Sequence, residues 1–390
     1  MSVAALRFPA SLARPVSGRF YGILSTYPPT PCGLATFSAA LARGLEGNGA
    51  SVGVVRIADQ VRSSDPRVLA ELENGSPASV AEATAALNGC DTAILQHEYG
   101  LYGGTDGDEI LDILHGLTVP SIVVAHTVLL HPTDHQKEVL EAISEVAGAV
   151  VVMTQTAQER LCTLFDVDPS KVMMVPHGAA MAPGNYRPDR SGRPLLLTWG
   201  LLGRGKGIEW AIDAMVDLKD LQPRPRYVVA GRTHPKVLSS EGEAYRDMLV
   251  ARTWAKGVAP SVIFDATYRD LASLNQLIQD ASVVVLPYDS RDQVTSGVLV
   301  DAIAAGRPVV ATAFPHAVEL LSSGAGIVVP QRDPAALGAA LRRVLTEPGL
   351  SASMAREAAR LAPALSWPAV ARQYAALADG LVLDSQAVPA

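Results

Sequence analysis

Short apolar runs rich in Val and Ile recur along this chain, each separated from the next by a longer segment of helical periodicity. Residues 20–25, 52–57, 92–96, 121–125, 149–153 and 172–175 are apolar on both faces. A half-solvated strand would alternate polar and apolar positions; strands apolar on both faces belong to a parallel sheet covered by helices on either side. The segments 34–48, 79–87, 108–117, 135–146 and 157–164 have the length and spacing to be those helices, so the pattern reads as successive βαβ units.

A polar stretch at 184–193 interrupts the alternation. It restarts with strand-like residues 195–198 and continues through 226–230, 262–264, 283–286, 309–311 and 326–329, with helical segments at 208–218, 243–254, 271–280 and 333–345. Asp333 is placed as an N-cap with Pro334 at the first helical position. The expected architecture is α/β: two doubly wound parallel-sheet domains in tandem, residues 1–190 and 191–365, with a terminal segment at 366–390.

Composition narrows the function classes. A chain of 390 residues that is 48% hydrophobic and 18% charged can bury two ordinary cores. A formal net charge of −7 argues against a dedicated nucleic-acid binder. Cys32, Cys90 and Cys162 lie far apart, which suggests neither a disulfide framework nor a zinc site and fits a reducing cytoplasm. No run approaches the roughly 18 apolar residues of a membrane span. The first eighteen residues read as a loose arm rather than a signal peptide, and the tail after Leu383 as frayed.

Ligands of open parallel sheets bind beyond the carboxyl ends of the strands, and the residues with chemistry to offer fall there. After the first strand, Gly33 either lets a backbone approach a phosphate or sugar closely or closes a plain proline-rich turn. After the third come His97, Glu98 and Tyr99, and after the fourth His126 and Thr127, with His131 and His135 nearby. These histidines serve either a site or the core, and their spacing matches no zinc pattern. Asp106, Gly107 and Asp108 read as the cap of the following helix in preference to a divalent-ion site.

In the second half, residues 198–207 (TWGLLGRGKG) form a glycine-rich turn carrying Arg204 and Lys206 before a helix, charges that suit a diphosphate or simply a solvated loop. Gly231 and Arg232 hold the same place one strand later. The polar loop 287–296 leads into a helix opening at Gly297, so Thr295, Ser296, Gly297 and Val298 make a helix entrance suited to an anionic group. The dinucleotide pattern GxGxxG is absent after the first strand of either half, and Asp59 is an ambiguous acidic partner, which disfavours a dehydrogenase.

These residues resemble the retaining nucleotide-sugar glycosyltransferases of the GT-B fold, of the glycosyltransferase family 4 type that includes bacterial mannosyl- and glucosyltransferases. The resemblance runs from Tyr21 to about Ala376 and is strongest at 200–214, at 283–321 and in the HEYGLYGG loop at 97–104. It implies two Rossmann-like domains facing across a cleft, the first on the acceptor side and the second on the donor side. A final helix at 366–381, with Trp367 near its start, is implied to cross back to the first domain. By position, Gly33 resembles the glycine that approaches the donor, His126 the histidine near the transferred sugar, and Lys206 the lysine on the diphosphate, with Arg204 a second cation. His97, Glu98 and Tyr99 are then acceptor-side candidates.

The family's two acids, separated by seven residues, fall on Gln293 and Asp301. Asp301 keeps a carboxylate for the ribose hydroxyls. Gln293 is an amide, which can hydrogen-bond a sugar but cannot bring negative charge to an oxocarbenium-like transition state. Leu201 stands where the family usually has an arginine, and His177 where it has an asparagine. The implied activity is transfer of mannose or glucose from a GDP- or UDP-hexose to a carbohydrate, lipid or small-molecule acceptor, with retention. Lys206, Arg204 and the backbone at Thr295–Val298 would stabilise the departing diphosphate, with no cofactor and no metal required. The acidic composition leaves room for no more than weak membrane association. The alternatives are a sugar-nucleotide epimerase of the same fold and a non-catalytic nucleotide-sugar-binding module.

Overall fold

The computed structural model describes residues 18–181, 192–267 and 269–387. The expected N-terminal arm, most of the polar stretch at 184–193 and the end of the tail lie outside the described residues. The chain divides into two compact units: one runs to Gly178 and regains the chain from Trp367, and the other spans Ala179–Ser366.

The first unit contains β1 (Phe20–Ser25), α1 (Gly33–Gly47), β2 (Ser51–Ile57), β3 (Val68–Leu72), α2 (Pro77–Asn88), β4 (Thr92–His97), α3 (Ile110–Gly116), β5 (Ser121–Ala125), α4 (Asp134–Val146), β6 (Ala149–Val152), α5 (Gln155–Leu164) and β7 (Val172–Met174). Its sheet is parallel throughout, in the order β3-β2-β1-β4-β5-β6-β7. The apolar runs became strands because both faces are covered: β1, β4, β5 and β6 are buried along their whole length.

Strand β3 was not expected from the sequence. It is held by an interaction that hydropathy does not register. Arg56 on β2 is fully buried, and its guanidinium is matched by Asp59 at 2.5 Å, by Glu71 of β3 at 3.1 Å and by the Tyr27 carbonyl at 3.2 Å. A buried cation is tolerated only when paired and hydrogen-bonded in this way, so Asp59, the ambiguous acid of the sequence, has a structural partner. A second expectation fails at α3. Its N-cap is Glu109, which makes no side-chain cap bond, whereas Asp106 sits at φ 53° and faces His135 at 3.1 Å. Asp106–Gly107–Asp108 is thus the turn before α3 bound to α4, not the cap of α3.

The second unit contains β8 (Leu195–Trp199), α6 (Ile208–Ala214), β9 (Arg226–Ala230), α7 (Pro235–Glu241), α8 (Ala244–Ala255), β10 (Val262–Asp265), α9 (Leu271–Asp280), β11 (Val283–Leu286), α10 (Gly297–Ala304), β12 (Val309–Thr312), α11 (Pro315–Leu320), β13 (Gly326–Val329), α12 (Pro334–Thr346) and α13 (Leu350–Leu361). Its parallel sheet has the order β10-β9-β8-β11-β12-β13. Alternate residues of β8 serve two cores. Leu195, Leu197 and Trp199 join α10, while Leu196 joins α6 and α12 on the other face. Asp333 caps α12 through the Ala336 N–H at 2.9 Å, with Pro334 at the first helical position. No helix among the described residues is long and apolar enough to cross a membrane.

The last helix, α14 (Trp367–Ala387), belongs to the first unit. Val370, Ala371, Tyr374 and Ala378 enter the core formed by β1, α1, β4 and β5. Close approach of α1 and α14 depends on a missing side chain: a Cβ on Gly44 would stand 2.9 Å from the Trp367 carbonyl oxygen and 3.0 Å from Ala371 Cβ. Gly44→Leu is therefore expected to lower the stability of the chain by about 1–3 kcal/mol through overpacking, read as a fall in the urea midpoint, while a Gly47→Leu control, with nothing within 4 Å, leaves it nearly unchanged.

Candidate functional site

In the second unit the strand order reverses between β8 and β11, and the helices that follow these strands cover opposite faces of the sheet. The chain after β8 and the chain after β11 therefore diverge and leave a crevice at the carboxyl ends. Direct pairing of the two strands is confined to Leu196 with Val283 and Leu197 with Val284. Beyond it, the Thr198 hydroxyl donates to the Val285 carbonyl at 2.5 Å.

Two glycines let the loops around this crevice touch. Gly207 has φ 63°, and a Cβ there would fall 1.8 Å from the Pro287 carbonyl oxygen. Gly231 has φ 150°, and its Cβ would fall 1.9 Å from the Gly200 carbonyl oxygen. No other residue fits either contact without moving backbone. The Asp289 N–H donates to the Gly205 carbonyl at 3.1 Å, which ties the same two loops again.

Lys206 is half-buried in this arrangement. Its ammonium lies 4.3 Å from the centre of the buried Tyr288 ring and has no carboxylate partner among the described residues. Arg204 differs: its side chain is 70% exposed, and it pairs with Glu241 of α7 at 3.2 Å. Arg232 is exposed at the end of β9.

The entrance of α10 is built as expected, with one addition. Ser296 is the N-cap, its hydroxyl accepting the Leu299 N–H at 3.3 Å. The Ser296 N–H donates to Nδ1 of buried His316 on α11 at 2.8 Å. Gln293 turns its amide to donate to the Thr295 carbonyl. Among the described residues the N–H groups of Gly297 and Val298 have no acceptor in the chain. His316 had no signal in the sequence, being 20 residues from Ser296 and brought to it only by β12.

Asp301 lies one turn further along α10, partly exposed and without a hydrogen-bonding partner among the described residues. Loss of hydration pushes its carboxyl up from 3.8 to about 7.

The first unit shows the same reversal, between β1 and β4, with its candidates around it. Ring Nε2 of His126 is 2.7 Å from Oε1 of Gln96, a residue not singled out from the sequence because a buried glutamine at a strand end reads as strand. Burial holds His126 down to about 3, with further contributions from His177 and His97, and burial holds His177 down to about 4. Phe37 packs edge-on against His126 at 4.9 Å, His177 at 5.1 Å and Trp367 at 5.0 Å. Gly33 opens α1 at an exposed position with nothing within 4 Å of a built Cβ, and Cys32 is the N-cap.

Of the acceptor-side candidates, His97 is fully buried, held down to about 4 by burial, and both its ring nitrogens lack partners. Glu98 accepts from the Thr127 hydroxyl at 2.6 Å, and Tyr99 donates to the Gln136 carbonyl at 3.1 Å. Among the described residues, no three His, Cys, Asp or Glu side chains gather as metal ligands.

The raised carboxyl of Asp301 fixes a sign. Between pH 4 and 7 the folded chain holds a proton that the unfolded chain has lost, so stability falls as pH rises through that window. Asp301→Asn is expected to gain stability relative to the parent chain from about pH 4 to about pH 7 and to hold a constant difference above it, measured by urea unfolding across pH.

With this geometry in view, likeness to known proteins becomes informative. Residues 193–347 match the family model described as glycosyl transferases group 1. The D-inositol 3-phosphate glycosyltransferase of Kineococcus radiotolerans is 29% identical over 254 residues, covering 59% of this chain and 57% of that one. The glycogen synthase of Mycobacterium tuberculosis is 30% identical over 231 residues, covering 58% of this chain and 52% of that one. The chain thus spans just over half the length of these curated relatives.

Among solved structures, HepE of Anabaena in complex with UDP superposes with a TM-score of 0.75 at 16% identity, covering 93% of this chain and 100% of that one. The sucrose-phosphate synthase of Thermosynechococcus elongatus gives 0.74 at 18% identity, covering 94% and 100%. Such identities carry the fold alone. The fold is thus GT-B, and residues 193–347 of the second unit match a glycosyl transferases group 1 domain.

Proposed function

We propose that this chain is a retaining glycosyltransferase that moves a hexose from a nucleoside diphosphate sugar to an acceptor hydroxyl. The observation that carries the reading is the combination at the β8–β11 crevice: an ammonium without a carboxylate partner, two free N–H groups at a helix entrance and a carboxylate one turn beyond. Lys206 and the α10 entrance suit the two phosphates, and Asp301 suits a vicinal diol such as that of a ribose.

In the proposed reaction the bond from the anomeric carbon to the phosphate oxygen breaks and a bond to the acceptor oxygen forms on the same face. The acceptor proton passes to the departing phosphate oxygen. Negative charge grows on the diphosphate in the transition state, so fixed positive charge there lowers the barrier without reorganising. Of the two cations in the turn, Lys206 carries this role; Arg204 is engaged with Glu241. Because the protein supplies these charges itself, no metal is assigned to the leaving group. His126, held neutral with a pKa of about 3, can hydrogen-bond but is not suited to act as a general base.

UDP sugars are the first donors to test, since the related fold of HepE holds UDP and UDP-glucose; GDP sugars are the second. Inositol phosphates are the first acceptors, after the relatives that use D-inositol 3-phosphate. A thermal-shift series with UDP, GDP and ADP sugars identifies the donor, because only a ligand bound by the folded chain raises Tm. Lys206→Ala is expected to lower transfer by about 100-fold or more with an unchanged circular dichroism spectrum, and transfer is expected to persist in EDTA. Near-normal turnover of Lys206→Ala sinks the phosphate assignment. Tight donor binding with no transfer to any acceptor supports a binding module instead.

A further inference from the structure

The two polar groups of one peptide bond are each held by a different side chain. Gln293 Nε2 donates to the Thr295 carbonyl, and His316 Nδ1 accepts the Ser296 N–H at 2.8 Å. We propose that Gln293 and His316 are positioning residues that clamp the Thr295–Ser296 peptide, and that this clamp aims the free N–H groups of Gly297 and Val298. The proposal rests on the reading of the α10 entrance as a diphosphate seat.

The peptide needs holding because Ser296 is an N-cap with non-helical backbone, φ −138° and ψ 104°, so the helix ladder does not fix the plane before it. A half-turn of that plane would exchange the directions of its carbonyl and N–H and swing the first turn of α10. Ser296 and His316 are each 5% exposed, so water does not replace a lost partner. His316 is itself well held. It follows Pro315 at the start of α11, and the preceding Phe314 is fully buried against Tyr288 at 5.0 Å.

The chemistry of each contact is directional. Nδ1 can accept only when it carries no proton, so the imidazole is neutral with its hydrogen on Nε2. The side chain at 293 must donate, which an amide does and a carboxylate does not. The amide at the position where the resemblance implies a glutamate therefore has a local reason: it faces the chain's own carbonyl. On this account Gln293→Glu sets oxygen against oxygen and loosens the entrance.

The test uses the full chain and the variants Gln293→Glu, His316→Phe and His316→Asn. The readouts are hydrogen exchange at the Ser296 amide, calorimetric Kd for UDP and GDP, and steady-state kinetics. In His316→Phe the Ser296 amide is expected to exchange about ten-fold faster or more. His316→Asn restores protection, because its Oδ1 takes the place of Nδ1. Gln293→Glu quickens the same amide although it does not touch it. Each loosening variant weakens nucleotide about ten-fold and raises donor KM more than it lowers kcat, and the double variant is no worse than about twice the poorer single.

Unchanged Ser296 exchange in both Gln293→Glu and His316→Phe overturns the clamp, whatever the ligand. Faster exchange with nucleotide affinity as in the parent chain overturns its role in aiming the entrance. A parent chain that binds no nucleoside diphosphate, with the exchange changes as stated, supports the clamp and overturns the diphosphate reading instead. Should His316→Phe fail to fold, Gln293→Glu alone decides between these outcomes.

Discussion

The structure of the second unit depends on how briefly β8 and β11 stay together. Two paired positions hold them, after which their helices depart to opposite faces and the following loops must fill the gap with backbone. Backbone in such a place needs partners, and several come from the next strands of the sheet. The Thr312 hydroxyl at the end of β12 donates to the Leu286 carbonyl at 3.3 Å and to that of Tyr288. Gln331, just past β13, donates to the Ser290 carbonyl at 3.0 Å, and Arg332 reaches Asp289 at 3.3 Å. The loop that carries the candidate site is therefore a surface loop with the anchoring of a core element, the condition under which a few free N–H groups keep one direction.

How much of this was legible in the sequence follows from the range of each interaction. Both sheets were, because burial on both faces writes itself locally as a β-branched run, and α10 was, because a polar loop ending in Thr-Ser-Gly precedes an apolar turn. Strand β3 was not: its hold on the sheet includes Glu71 meeting a buried Arg56 fifteen residues away, and hydropathy counts both as solvent residues. Helices α7, α11 and α13 were not expected from the sequence either. The site divides in the same way. Lys206 and Ser296 stand at turns that the sequence marks with glycine and serine. Gln96 and His316 act through partners 30 and 20 residues distant, and no pattern along the chain connects them.

Charged and polar groups are handled oppositely in the two units. The first holds His97, His126 and His177 neutral by burial, so their chemistry is hydrogen bonding around an aromatic cluster centred on Phe37. The second collects positive character at one place: the Lys206 ammonium and the open end of α10. Arg307 works at the other end of that helix. It is 2% exposed, and its guanidinium donates to the Ala305 carbonyl at 3.0 Å and the Gln279 carbonyl at 2.9 Å. A cation at the carboxyl end complements the helix dipole just as an anion does at the amino end, so an anion at the entrance would complement the stretch from Ser296 to Arg307 at its other end.

Asp301 sits further along that helix, in a different electrostatic setting. The dipole favours a carboxylate only within the first turn, and Asp301 stands in the second, so desolvation outweighs it and the carboxyl rises to about 7. A carboxylate in that state is under-solvated: it lacks the hydrogen bonds that water would give and has no protein donor among the described residues. Hydroxyl groups that donate to it restore part of what burial removed, and they do so more strongly than they would to a fully hydrated acid. On the proposed reading, the same burial that makes Asp301 costly to the folded chain suits it to accept hydrogen bonds from a diol. An asparagine there would lift the cost and lose that fit, because its amide presents one acceptor atom where the carboxylate presents two.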